Sequence, residues 1–364
     1  MNLTHKFERL ISEMEPLDGA APGAAPKRAR AIPDAASLKA HLQIALELEL
    51  STLPPYLTAQ ASIVDETNLE AAGLIRSVMM EEMLHMILAA NVLNAIGGDP
   101  VLAKKGVAPE YPTILPDSDG AFMVSVEPLS LGAIGTFMRI EQPTPTGTPA
   151  KADGYDTIGQ FYAAIMEAIV RLSKKGEVRF DHNPQRQIDP ADYYNGHGNV
   201  IRVHDSYSAI AALQEIVHQG EGNNDTIYES GHEVDGVGYE LAHYYRFMEI
   251  SLGRRFREGD TPQTGPTGAI LPVDWSSVKN MISNPKRAWF TKDDPRGILM
   301  DECNHSWVML LTELQAGFRG DKQGIKRAIP WMMMLKRQAH GLMNVPSGIA
   351  GMMLGPSFEW PEQP

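Results

Sequence analysis

The sequence predicts a mainly α-helical protein organised as a four-helix bundle, with a long crossover, irregular insertions and extra helices towards the C-terminus. Three observations carry this expectation. Long segments repeat apolar residues with helical period between helix start and stop signals, whereas strand-like alternation is short and rare. A Glu-x-x-His step recurs on separate segments read as helical, at Glu82/His85, Glu215/His218, Glu240/His243 and Glu302/His305. With 25 Glu and 11 His in 364 residues, chance supplies about one such pair. Glu49, finally, stands 33 residues before Glu82, a separation that puts two carboxylates at one depth when antiparallel helices are joined by a short turn.

Residues 1–33 read as a flexible segment, because Glu15 to Arg30 is rich in Ala, Pro and Gly and ends in KRAR, with little apolar surface to offset ordering. Residues 34–364 read as one domain. Its first helix starts near Asp34, with Ser37 as a second candidate cap, and carries Leu38, Leu42, Ala45, Leu46, Leu50 and Leu53. Pro54 and Pro55 remove two backbone donors and imply a kink just after Glu49. A second helix, from about Leu69 to Ile96, stops at Gly97-Gly98-Asp99-Pro100. An insertion follows over about 101–155, Pro-rich but with a helical piece near Leu131 to Ile140. Asp156 to Ser173 reads as a helix, and the polar stretch 174–204 as either a lid or an irregular insertion. Two more helices are expected at Ser206–Gln219 and Gly238–Leu252, then a helical extension over about 298–345. The run Met332 to Met334 reads most simply as adaptable core packing.

A net charge of −13 and a pI near 5.3 argue against nucleic acid, which needs concentrated Lys and Arg. No stretch approaches the roughly 18 apolar residues of a membrane span. The single cysteine, Cys303, excludes an internal disulfide and a Cys-rich zinc site. The charged N-terminus lacks a secretory core, and a cytoplasmic setting is expected.

In a helix, positions i and i+3 share a face, so each Glu-x-x-His step can offer an oxygen and a nitrogen to one metal ion. Glu49, Glu82, His85, Glu240 and His243 form the inventory of a dinuclear centre short of one carboxylate. Of each adjacent or near pair, Glu49 rather than Glu47 and Glu82 rather than Glu81 are expected to point inward. The missing ligand is sought on the helix before the last, among Glu215, His218 and Glu221, with Glu167 more distant. Glu221 is favoured because it and Glu240 flank one loop. Glu302/His305 reads as a structural or surface pair. Tyr56, Tyr244 and Tyr245 are candidate neighbours of the centre, and Arg246 a candidate anchor for a substrate carboxylate. Tyr56 and Arg246 are the expected catalytic side chains.

At ELSTLPPY and EEMLHMILAANVLNAIGG the chain resembles the ferritin-like superfamily. More narrowly it resembles the ferritin-like domain family related to iminophenylpyruvate dimer synthases of bisindole pigment pathways. LELELSTLPPYLTAQASI, FMRIEQP, TIGQFYAAI, IVHQGEG, ELAHYYRFMEI and GPSFEW carry that likeness. It implies Glu221 of QGEG and His243 of HYYRF as recurring polar positions. Together these readings lead to an oxidoreductase holding one or two non-haem iron ions, with manganese as the alternative metal. It would act on a small substrate, amino-acid-derived in the light of the resemblance, with dioxygen. Carboxylate and imidazole donors suit such ions. Imine coupling and iron storage are the alternatives, and homo-oligomeric assembly is left open.

Overall fold

The structure is a computed structural model that describes residues 32–193, 198–220, 226–234 and 238–361. The N-terminal segment 1–31 and Glu221 therefore lie outside the described residues. Helix α1 (Ala35–Ala61) begins at Asp34, whose carboxylate accepts the N–H of Ser37 at 2.8 Å. Helix α2 (Leu69–Ala95) ends at a double glycine. Gly97 takes a left-handed φ of 77°, and a Cβ on Gly98 would lie 2.1 Å from the Leu93 side chain. Both helices are buried on most of their faces, which makes them the centre of the molecule rather than its surface.

The remaining bundle positions are filled by shorter pieces. Helix α3 spans Leu131–Ile140, α4 Ile158–Lys174 and α5 Ser206–Gly220. A two-stranded antiparallel sheet follows, β1 (Tyr228–Val234) and β2 (Gly238–Leu241), and then α6 (His243–Leu252). Helix α1 packs along α2, α4 packs on α1 and α5, and α5 returns to α2, closing a ring of four. Beyond this ring α3 and α6 pair with each other and cover the other part of the central pair. Three rings lock that end together: Tyr56 on α1 lies 4.6 Å from Phe137 and 5.2 Å from Phe247, centroid to centroid. The expected helix Gly238–Leu252 is thus corrected, because its first four residues pair as strand β2 and helix starts only at His243.

Pro54 and Pro55 do not interrupt α1, which is helical through both. Pro55 has no N–H for the carbonyl of Ser51, one turn back. The buried Tyr111 hydroxyl donates to that carbonyl instead, at 2.7 Å. The insertion 174–204 is no free lid in its described part. Asn91 of α2 donates to the carbonyls of Ile188 and Ile201 and accepts from the N–H of Ile188. Asp189 pairs with Arg202 and Lys322. Helices α7 (Pro295–Phe318) and α8 (Gln323–Leu342) form a hairpin, with α8 against α1. The methionine run is core only in part: Met333 is 71% exposed.

The Tyr111 bond gives a direct test. Tyr111→Phe leaves the Ser51 carbonyl buried without a donor, and urea unfolding should show a loss of about 1–3 kcal/mol. An unchanged midpoint would mean that the proline site does not need this bond.

Candidate metal centre

Midway along α1 and α2 the apolar packing gives way to carboxylates and imidazoles that do not reach solvent. Glu49, Glu82, Glu141, His85 and His243 are each at most 4% exposed. Glu49 enters from α1. Glu82 and His85 enter from one face of α2, as their spacing in a helix dictates. Glu141 caps the C-terminus of α3, and His243 is the first residue of α6.

His85 Nδ1 lies 3.2 Å from Glu49 Oε2 and 3.7 Å from Glu82 Oε1. His243 Nδ1 lies 3.0 Å from that same Glu82 oxygen and 3.5 Å from Glu141 Oε2. Two triads result, Glu49/Glu82/His85 and Glu82/Glu141/His243, each with ligand atoms within 4.8 Å of one another. Glu82 belongs to both. The two imidazoles stack, with centroids 5.4 Å apart and planes 25° from parallel.

The three carboxylates share one arrangement. Each has one oxygen bound to a hydroxyl and the other turned towards the imidazoles. Tyr162 donates to Glu49 Oε1, Tyr56 to Glu141 Oε1 at 2.6 Å, and Thr52 to Glu82 Oε2 at 2.8 Å. The imidazoles follow a matching rule. His85 Nε2 is 3.0 Å from Gln219 Oε1, and His243 Nε2 is 2.8 Å from Glu81 Oε2. With the outer nitrogen bound to an oxygen, Nδ1 faces the carboxylates, where it would serve as a ligand atom once its proton is lost.

These residues fit a cation. His243 Nδ1 is buried without a hydrogen-bond partner among the described residues, a costly condition that a metal ion held by it with Glu82 and Glu141 would remove. The charge balance agrees. Burial, helped by the charges of Glu141 and Glu49, pushes Glu82 up to about 8. Burial also raises Glu49, but bonds from His85 and Tyr162 outweigh it and hold that carboxyl below its usual range. Burial opposes charge on both imidazoles, yet Glu49 and Glu82 raise His85, and Glu141, Glu81 and Glu82 raise His243 well above its ordinary value. Burial, then the neighbouring carboxylates, keep Tyr56 and Tyr162 protonated donors. Without a cation, Glu82 and the two imidazoles hold protons more tightly than usual.

Glu81 is corrected from solvated to wholly buried. It bonds His243 on one oxygen and Arg246 on the other, at 2.8 Å each. Burial raises its carboxyl, but Arg246 and His243 outweigh that and hold it far below the usual range. The Arg246 guanidinium also bonds Ser77, Glu229 and the Leu241 carbonyl, so its donors are engaged within the protein. Burial, with the Glu81 charge nearby, pushes Glu229 up to about 9. Glu240 lies here rather than at the centre, 3.8 Å from Arg246 and half-buried. The chain is extended through Leu241, so the helical registry that would aim Glu240 and His243 together does not exist.

Glu215 and His218 sit half-buried on α5 and belong to none of the metal-ligating clusters among the described residues. Glu167 is exposed on α4, and Glu302 and His305 are exposed on α7. Tyr244 and Tyr245 pack with Ile227, Ala242 and Phe256, away from the cluster. Reasoning from helical spacing did not find Glu141, the outer carboxylate Glu81, or the anchors Tyr162, Thr52 and Gln219. The signals available were the segments FMRIEQP, which holds Glu141, and TIGQFYAAI, which holds Tyr162.

A cavity of about 20 Å³ opens on the cluster, walled on its other side by Ile158, Ile216, Val217 and Gly220. Any Cβ on Gly220 would stand 3.2 Å from Glu141 Oε2.

A ferritin-like family model matches residues 42–252, from the first half of α1 to the last residue of α6. The chain is 27% identical over 341 residues to the dichlorochromopyrrolate synthase of Lentzea aerocolonigenes, which covers 80% of this chain and 30% of that enzyme. It is 26% identical over 382 residues to the 2-imino-3-(indol-3-yl)propanoate dimerase of Chromobacterium violaceum, covering 94% and 35% respectively. The chain thus spans about a third of the length of these curated relatives. Among solved structures, a ferritin-like protein from Caulobacter vibrioides superposes with a TM-score of 0.61 at 25% identity, covering 88% of this chain and 97% of that one. With more than half its length matched and its helices arranged to suit, the chain belongs to the ferritin-like family.

Proposed function

We propose that this protein is an oxidoreductase that holds two non-haem iron ions and oxidises a small amino-acid-derived substrate, with dioxygen as electron acceptor. The observation that carries this reading is the sharing of Glu82 between two buried Glu/His triads. Glu49 and His85 would hold one ion, Glu141 and His243 the other, and Glu82 both. Oxygen and imidazole donors suit Fe(II), with Mn(II) next, and the only thiol, Cys303, is buried on α7. A bound pair of such ions supplies the one-electron steps that dioxygen chemistry requires.

The chain's own residues prepare the centre. Tyr56, Tyr162 and Thr52 fix one oxygen of each carboxylate, so little reorganisation is needed when a metal binds. Glu81, itself fixed by Arg246, orients His243. Ile158, Ile216 and Val217 limit water on the open side. Coupling of an amino-acid-derived imine is the form of the reaction that the likeness to the 2-imino-3-(indol-3-yl)propanoate dimerase favours.

Metal content tests the assignment. Plasma mass spectrometry after anaerobic Fe(II) loading should find about two irons per chain. Glu82→Ala should lose most of both while helical circular dichroism persists. Glu141→Ala should lose about half, and Glu240→Ala should keep both. Full loading of the Glu82 variant would defeat the reading.

A second prediction concerns pH. In metal-free protein Glu82, His85 and His243 all have raised pKa values, so each holds a proton at higher pH than usual. Ligation requires its loss. Fe(II) affinity should therefore fall as pH drops from 8 to 6, and loading at pH 7 should release protons that an indicator dye can count. An affinity independent of pH over that range would contradict the ligand set.

A further inference from the structure

The two triads offer a cation the same kinds of donor: one imidazole, one carboxylate of its own and a share in Glu82. The groups behind the two imidazoles differ. His243 Nε2 lies 2.8 Å from one carboxylate oxygen of Glu81, whose other oxygen is ion-paired with Arg246 at 2.8 Å. His85 Nε2 lies 3.0 Å from the amide oxygen of Gln219. The nitrogen of that amide is buried without a hydrogen-bond partner among the described residues. Helix α5, where the sequence predicts a carboxylate ligand, thus brings a neutral amide to the centre.

An ionised carboxylate can only accept, so Glu81 fixes a proton on His243 Nε2 and leaves Nδ1 as the atom that turns to a ligand. An amide accepts through its oxygen or, turned over, donates through its nitrogen, so Gln219 fixes neither tautomer of His85. A carboxylate behind an imidazole also makes the ring a stronger donor, an effect of about 10–100-fold in metal affinity. The Nδ1 atoms differ in the same sense. His85 Nδ1 already bonds Glu49 Oε2 at 3.2 Å, a bond that a cation must replace. His243 Nδ1 has no hydrogen-bond partner among the described residues, so a cation there relieves a buried unsatisfied atom and displaces no bond of that nitrogen. Of the two imidazoles, only His85 lines the small cavity that opens on the cluster.

We infer that the two halves of the centre are unequal by construction. Glu82, Glu141 and His243 take the first ion and hold it more tightly; Glu49, Glu82 and His85 take the second; and the carboxylate of Glu81 against the amide of Gln219 sets the order. The inference rests on the two-ion reading above.

Anaerobic calorimetric titration of the metal-free full chain with Fe(II) tests it. Wild type should bind two ions in separate steps, with constants about tenfold or more apart. Glu49→Ala should keep the tight step and lose the weak one, and Glu141→Ala should do the reverse. Glu81→Gln, which puts an amide behind both imidazoles, should weaken the tight step about 10–100-fold and leave the weak step and the circular dichroism unchanged. Glu81→Asp should recover part of that loss. Two equal steps in wild type, or a tight step that survives in Glu141→Ala but not in Glu49→Ala, overturns the inference and leaves the two-ion reading intact. So does a Glu81→Gln titration that matches wild type or weakens both steps together. Absence of iron binding in wild type removes both. Unequal steps without any dioxygen-dependent oxidation leave the inference standing and remove only the oxidoreductase reading.

Discussion

The structure depends on one costly act, the burial of three carboxylates and two imidazoles in the middle of a helical bundle. Each buried ion forfeits several kcal/mol of hydration, and the site survives because almost every polar atom is bound. Hydroxyls hold the outer carboxylate oxygens, an amide and a carboxylate hold the outer imidazole nitrogens, and the facing atoms are left to one another. One buried atom left without a partner, His243 Nδ1, faces Glu82 and Glu141, where a cation would fit.

That requirement explains why the second half of the bundle is broken into pieces. A continuous helix offers one side chain per turn towards a given depth. Ending α3 at Glu141 and starting α6 at His243 lets both side chains approach Glu82 from chain ends instead. The breaks leave space for the β1–β2 hairpin, whose Glu229 helps hold Arg246, which holds Glu81, which orients His243. A hairpin inserted in sequence thus reaches the centre through three side chains.

Helical segments were legible because their period and their caps are local. Asp34, the Gly97-Gly98 stop and the piece Leu131–Ile140 stand where the sequence pattern puts them. Glu49, Glu82 and His85 come together in space because two regular helices with a short turn leave their registry no freedom. Helical registry misled where the backbone was not helical. Glu240 repeats the spacing to His243, but on an extended strand the spacing aims the side chains apart, and Glu240 sits by Arg246. Glu81 reads as solvated from periodicity, which assigns each helical residue a face but does not say how much of a central helix is covered; α2 is enclosed on nearly all sides at that level.

The sequence by itself determined the helical class, the positions of its main helices and the half of the centre carried by α1 and α2, since these follow from periodicity and capping within short windows. Only the tertiary structure decided the other half. Glu141 and His243 are 102 residues apart, on helices that meet because Tyr56, Phe137 and Phe247 pack together at one end of the bundle. The burial that gathers these carboxylates and imidazoles away from water is a property of that packing, and no local pattern encodes it.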